Sequence, residues 1–412
     1  MTDEPRIIAM AGNDETGRTR PAFPSKGRPV DAVLRELEAR TERDFHYGDG
    51  RIAGSMISAP HPLTYDVFAR ALEKNVGDPG LFPGSVELEL EAVHFLADLL
   101  HGPATAGGHL VTGGNEANIV AMWVARAVAR GRGERRSRLL VPEHAHVSWD
   151  KAASLLDLDL ERIELDDDHR MRTARLVDRL GPDVLAVVAA AGCTPLGCVD
   201  PIEEVGSRVQ GSGIWFHVDA AYGGLVLPFL RNEAGDRLTP VFDFRVRAVD
   251  SITIDPHKMG LAAQPAGGLL FRDEAKSRAV EVAIPYLAGG KSSQATLTGT
   301  RSGAAALSVW ALIQHLGLEG YRAIVDEAME KTRRFAARVR ASYRLELVVE
   351  PSMNILGVRP VRGDVPSFVQ RLRFASWAIG EFKTHARIVF LPHLTDDRLE
   401  ALFDALEEAA SN

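Results

Sequence analysis

Apolar positions along the chain change their period three times. Over Val30–Phe45, the residues Val33, Leu34, Leu37 and Phe45 fall at helical spacing and predict a helix. The stretch HYGDGRIAGSMISAPHP (His46–Pro62) is too rich in glycine and proline for regular structure throughout, and predicts a shaped loop. From about Val86, helical segments such as VELELEAVHFLADLL and EANIVAMWVARAVA alternate with short apolar runs: SRLLVP, VLAVVAAA, GIWFHV, SITI and GGLLF. That alternation predicts an α/β domain on a mostly parallel sheet. After GTRSGAAALSVWALIQHLG (Gly299–Gly317), a long helix to about Arg340 leads into ELVVEP, NILGVRP, a helix near VPSFVQRLRFASWAI, the strand RIVFLP and a last helix, TDDRLEALFDALEEA. This rhythm predicts a smaller α+β C-terminal domain. The expected division is an N-terminal arm and substrate-side segment over 1–60, a large domain over 61–303 and a small domain over 304–412. The first 28 or so residues lack periodicity and predict a mobile arm.

Composition narrows the choices. A chain of 412 residues exceeds one small core, and 45% hydrophobic with 25% charged residues suits a soluble globular protein. A formal net charge of -8 argues against a nucleic-acid partner, because phosphate neutralisation needs a basic face. The run ARGRGERRSR (Ala129–Arg138) reads as a solvated loop. No apolar run approaches the ~18 residues of a spanning helix, and the N-terminus is not a secretory signal, so no membrane partner is expected. The only cysteines, Cys193 and Cys198, are too few for a disulfide framework or a thiolate zinc site. Reduced thiols and a cytoplasmic location are the expectation.

Ligands of open α/β sheets sit beyond the carboxyl ends of the strands, so the residues that follow each apolar run carry the candidate chemistry. After GHLV, TGGNEAN opens a helix, and Gly113, Gly114 and Asn115 suit a phosphate at a helix N-terminus. An ordinary loop into a helix reads the same way, and the dinucleotide G-x-G-x-x-G spacing is absent. After SRLLVP come His144 and His146; no matching acidic or histidine cluster supports a metal pair, while an imidazole can stack on a flat cofactor. Thr194 places a hydroxyl after VLAVVAAA. HVDAAYGG follows GIWF with His217 and Asp219, and an acid there is costly unless paired, for instance with a protonated ring nitrogen. The small Ala220 and Ala221 let a flat group lie close. SITI ends in DPHK, which delivers Lys258; a lysine amine is a nucleophile only when desolvation or nearby cations lower its pKa. Each motif has a plain alternative. Jointly, at successive strand exits, they are the parts that hold pyridoxal 5'-phosphate: a Schiff-base lysine, a pyridinium partner and a phosphate site.

With these residues in view, the chain resembles the group II pyridoxal-phosphate-dependent amino-acid decarboxylases, and within them the archaeal-type tyrosine/aspartate decarboxylases. The resemblance rests on DGRIAGSMISAPHP, NVGDPGLFPGSVELE, VTGGNEAN, AHVSWDKA, GCTPLGCVDPI, HVDAAYGG, DPHKMG, PAGGLLFRD, PYLAGGKSSQATLTGTRSGAA and RIVFLPHLT, from about residue 45 onward. It implies the type I, aspartate-aminotransferase-like fold, with a mostly parallel seven-stranded sheet flanked by helices and a smaller α+β C-terminal domain. It also implies a homodimer with shared active sites. By resemblance Lys258 carries the cofactor, Asp219 pairs with its ring nitrogen, His146 stacks on the ring, and Gly114 and Asn115 hold the phosphate with His257. Thr194, His217 and Ala221 line the cofactor. Gly299 and Thr300 of GTRSG contribute near it, with the partner subunit open as their source, and Tyr286 in PYLAGGKSS assists protonation after carbon dioxide leaves. Asn115, Cys193 and Gln264 depart from the residues usual in relatives.

The expected reaction is decarboxylation of an L-amino acid to its amine, with tyrosine or aspartate as substrate. Valine or another apolar amino acid, a decarboxylation-dependent aldehyde synthase and a non-catalytic homologue stay open as alternatives. An aspartate side chain would need a cation, for which Arg51, His61 and Arg301 are candidates.

Overall fold

The computed structural model describes residues 23–232 and 238–411, so most of the expected N-terminal arm lies outside the described residues. Two units are distinguished, Met1–Phe45 and His46–Asn412. In the first, helix α1 spans Val30–Thr41, four residues short of the predicted end, and Arg28 and Arg40 both pair with Glu36 on its surface.

The second unit begins with the predicted loop, then α2 (Pro62–Ala71) and α3 (Pro83–Leu99), each opened by a proline in its first turn, where no amide hydrogen is needed. A seven-stranded sheet follows: β1 (Gly107–Val111), β2 (Arg138–Pro142), β3 (Asp159–Ile163), β4 (Val184–Ala190), β5 (Trp215–Asp219), β6 (Ser251–Ile254) and β7 (Gly267–Phe271). Their order is β1-β7-β6-β5-β4-β2-β3, and β7 alone runs antiparallel to its neighbours. Helices α4 (Gly114–Gly131), α5 (Ser148–Leu156), α6 (Thr173–Arg179) and α7 (Ile202–Val209) connect the parallel strands.

The apolar runs are continuous because both sheet faces are covered. Leu139, Val141, Ala186 and Val188 join one core with Val120 and Val124 of α4 and Trp149 of α5. Their alternates Leu140, Val187 and Ala189 join the other, with Leu96 of α3 and Val205 of α7. All seven residues of β4 are buried. Each large aliphatic side chain so placed contributes about 1.5–3 kcal/mol. Strand β3 escapes the apolar pattern because DLERI is a charged edge strand, paired only with β2. Strand β5 runs on to Asp219, so His217 lies inside it rather than after it.

A two-stranded ribbon, β8 (Val282–Ile284) and β9 (Ser292–Gln294), precedes α8 (Gly303–Ala341). Ser302 caps α8 by accepting from the Ala305 amide at 3.2 Å. The predicted long helix is interrupted at Gly317, whose φ of 55° suits a residue without a Cβ. The C-terminal part is a four-stranded antiparallel sheet of β10 (Leu345–Leu347), β11 (Ile355–Pro360), β12 (Gly380–Glu381) and β13 (Ala386–Val389), in the order β10-β11-β13-β12. Helices α9 (Val365–Phe374) and α10 (Asp396–Ala409) share its core with the end of α8. Among the described residues, no helix is long and apolar enough to cross a membrane.

Arg301, just before α8, ties this architecture together. Its guanidinium pairs with the buried Glu89 of α3 and donates to the carbonyls of Leu110 (2.9 Å) and Val76 (3.3 Å). Replacing Glu89 by alanine strands that charge in a dry site. The Glu89→Ala variant is expected to lose about 3–5 kcal/mol of stability, read as a lower denaturant midpoint.

Candidate active site

The carboxyl ends of the parallel strands surround a cavity of about 360 Å³. Gly113, Gly114 and Asn115 enter it from the start of α4, and His144 and His146 from the segment after β2. Thr194 reaches it after β4, Asp219 and Ala221 at the end of β5, and His257 and Lys258 after β6. These ten residues, each singled out in the sequence, therefore share one space.

Four other predicted site residues, His217, Tyr286, Gly299 and Thr300, do not line it. His217, drawn inside β5, is fully buried one layer below: its Nδ1 lies 2.8 Å from Ser251 Oγ and its Nε2 3.2 Å from Thr253 Oγ1. Burial pushes this imidazole down to about 4, so it is neutral. Tyr286, between β8 and β9, is 81% exposed. Gly299 accepts from Gln294 Nε2 at 3.1 Å, and Thr300 lines a separate cavity of about 220 Å³ beside Arg301. The expected substrate cations also lie elsewhere. Arg301 is paired with Glu89, Arg51 rests 5.1 Å over Trp377, and His61 caps α2.

Asp219 is the best-held charge in the cavity. Its Oδ2 accepts from Asn118 Nδ2 (3.0 Å) and Trp149 Nε1 (3.3 Å), and its Oδ1 from the Ala221 amide (3.2 Å). Asn118 is itself fixed: it donates to Ser148 Oγ at 2.9 Å and accepts from Thr253 Oγ1 at 2.7 Å. Sequence reasoning missed Asn118, Ser148, Trp149 and Thr253. Asn118 was within reach, since it stands one helical turn after Gly114 and so on the same side of α4.

Lys258 Nζ lies 3.0 Å from Asp255 Oδ2, and the other oxygen of that buried carboxylate has no partner among the described residues. His257 Nδ1 accepts from the Ala266 amide at 3.3 Å. A Cβ on Gly113 would come within 3.0 Å of His257, and one on Gly114 within 3.0 Å of Asp255 Oδ2. The paired glycines thus leave the first-turn amides of α4 bare where an anion can approach. His146 Nδ1 accepts from the Ser148 amide at 3.1 Å, and burial lowers its pKa, so the ring is neutral with its proton on Nε2. A helix N-terminus for a phosphate, a fixed carboxylate for a ring nitrogen and an amine in one cavity fit pyridoxal phosphate.

His144 forms a buried pair with Asp200, Nε2 to Oδ1 at 3.1 Å. Burial is the strongest single influence and would depress its pKa, but the Asp200 carboxylate and the neighbouring Cys193 sulfur together hold it up at about 9. Asp200 also accepts from the amides of Met171 and Ala190, both at 2.7 Å.

Residues 47–359 match the family model described as the pyridoxal-dependent decarboxylase conserved domain. Among curated proteins, the chain is 42% identical to a "probable L-aspartate decarboxylase" of Pyrococcus abyssi, over 94% of this chain and 98% of that one. It is 42% identical to a "probable L-tyrosine/L-aspartate decarboxylase" of Methanothermobacter thermautotrophicus, over 88% of this chain and 98% of that one. Among solved structures, a sphingosine-1-phosphate lyase of Burkholderia pseudomallei superposes with a TM-score of 0.86 at 27% identity, covering 95% of this chain and 93% of that one.

Two outcomes are expected from this geometry. Asn118→Ala removes a donor to a charged acceptor, a change of about 1.5–3 kcal/mol, so cofactor affinity should fall roughly ten- to a hundredfold in a spectrophotometric titration. The raised pKa of His144 adds stability that is complete below its unfolded value of 6.5 and is lost as pH rises through about 9. The stability advantage of the native chain over His144→Gln should therefore shrink across that window in denaturant titrations.

Proposed function

The chain belongs to the pyridoxal-dependent decarboxylase family, and on that premise we propose that its pyridoxal-phosphate-dependent decarboxylation acts on L-aspartate, releasing carbon dioxide and β-alanine. The observation that carries the site assignment is the meeting of Lys258, Asp219 and the bare start of α4 in one cavity. The aspartate reading is supported by the names of the two archaeal relatives, both of which include that substrate.

When bound, pyridoxal phosphate supplies the electron sink for the pair left behind as the carboxylate departs. The protein's residues do the rest. Lys258, whose Nζ lies 3.0 Å from Asp255 Oδ2, would be the amine that holds the cofactor. Asp219, fixed by three donors, keeps a proton on the ring nitrogen. The amides of Gly114 and Asn115, with His257 alongside, hold the phosphate. Ala221 and Thr194 bound the ring, and His146 offers its Nε2–H on the cavity wall. His217 acts from below by fixing Ser251 and Thr253.

Tyr286, Gly299 and Thr300 lie outside the cavity of their own chain. A homodimer in which these segments complete the neighbouring site accounts for their predicted roles, with Tyr286 delivering the proton to Cα. The two buried, unbridged thiols are in keeping with a cytoplasmic enzyme.

A panel of L-amino acids given to cofactor-loaded protein should show carbon dioxide and amine from L-aspartate ahead of the others, and preference for L-tyrosine would replace the substrate reading. Lys258→Ala should keep the far-ultraviolet circular dichroism of the native chain while turnover falls on the order of a thousandfold or more.

A further inference from the structure

The chain's only two cysteines close a tight turn at the wall of the cavity. Residues 194–197 separate them, and the backbone folds back at once. The Cys193 amide donates to the Cys198 carbonyl at 2.9 Å, and the Gly197 amide to the Cys193 carbonyl at 2.8 Å. The bridge between Ala191 and Val199 extends the pairing as a short antiparallel hairpin. A direct amide-to-carbonyl bond of 2.9 Å between the two residues keeps their Cα atoms within about 7 Å of each other. A disulfide spans about 4.4–6.8 Å between Cα atoms, so this pair can be joined by a small local tightening of the turn. The two side chains pack together with Ala190 and Leu196 in one small core. Both are free and buried.

The two are not equivalent. Cys193 lines the cavity, where a small molecule that enters can meet it, whereas Cys198 is not part of the lining. Burial works against a Cys193 thiolate, but the hydrogen bond from Cys198 and the positive charge of His144 outweigh it and lower its pKa. Cys198 is pushed the other way, first by its hydrogen bond to Cys193 and then by burial. The arrangement has one nucleophilic sulfur at the cavity and one resolving sulfur against it.

We infer that Cys193 and Cys198 form a peroxide-reactive dithiol built into the wall of the cofactor cavity, convertible to an internal disulfide. The Cys193 thiolate attacks one oxygen of hydrogen peroxide, the O–O bond breaks, hydroxide leaves and takes up a proton, and a sulfenic acid remains. The Cys198 thiol then attacks that sulfur, the S–S bond forms, and the hydroxyl leaves as water with the thiol proton. Two thiols are oxidised and one peroxide is reduced to two waters. The disulfide tightens the turn that carries Thr194, whose carbonyl is tied to Arg387 Nη1 at 2.8 Å. The cavity wall is thereby altered where it meets the cofactor.

The test uses the full-length, cofactor-loaded chain treated with peroxide sufficient to oxidise free glutathione, then alkylated, digested and weighed. The peptide carrying both cysteines should lose two hydrogens and resist alkylation until dithiothreitol is added. Decarboxylase activity should fall and recover in parallel. In Cys198→Ser no disulfide forms, and Cys193 is instead trapped by dimedone as the sulfenic acid. In His144→Gln the oxidation should slow by about tenfold, following the loss of thiolate. Thiols that stay alkylatable in the treated native chain would overturn the inference, as would a disulfide that leaves activity unchanged. The mass readout does not depend on which amino acid is the substrate, so a wrong substrate leaves the chemical result standing.

Discussion

A half-buried carboxylate at the end of a parallel strand, held by three donors, is the constraint on which the rest of the site depends. Asp219 stands where β4, β5 and β6 run side by side, half-buried at the end of β5. Even half-buried, such a charge is less well solvated than in water unless donors replace the water it has lost. The chain answers with donors from three elements: Asn118 from α4, Trp149 from α5 and the Ala221 amide at the strand's own end. Asn118 also bonds Ser148 and Thr253, and Thr253 reaches His217, which reaches Ser251. One polar chain thus sets the heights of α4, α5, β5 and β6 relative to each other inside an otherwise apolar face. The amides that open α4 and the lysine after β6 are held against the same reference. Their meeting in one cavity is a consequence of satisfying that charge.

The C-terminal sheet contributes a second, more distant support. Arg387 of β13 donates to the carbonyls of Thr194 and Gly54, at 2.8 and 2.6 Å, and so joins the turn after β4 to the loop before α2. Burial pushes this guanidinium down to about 10, a sign of how little water reaches it. Asn354 adds a parallel tie, donating to Tyr222 Oη and the Phe390 carbonyl, both at 2.8 Å. Met56 and Ile57, from the glycine-rich loop, complete the cavity wall on that side. The reaction needs a cofactor held firmly and a substrate side shaped separately, and the two supports divide that work.

Some of this was readable from residue order alone. Continuous apolar runs separated by helical segments require a parallel sheet covered on both faces, and β2, β4, β6 and β7 lie where those runs placed them. The residues after the runs include Gly113, Gly114, Asp219 and Lys258, because ligand chemistry gathers where parallel strands end and side chains can reach a common space. What tertiary structure decided is which of these groups share that space and what holds them. An imidazole two residues before Asp219 looks like a neighbour of the ligand in the sequence; the extra length of β5 buries His217 beneath it. Arg301 looks like a free cation, yet Glu89, more than two hundred residues away, neutralises it. The donors to Asp219 are dispersed over three elements, and no local pattern records a contact made only when α4 and α5 pack on the same face. Period and composition report what each segment must bury. The pairing of buried charges depends on which segments meet, and only the folded chain settles that.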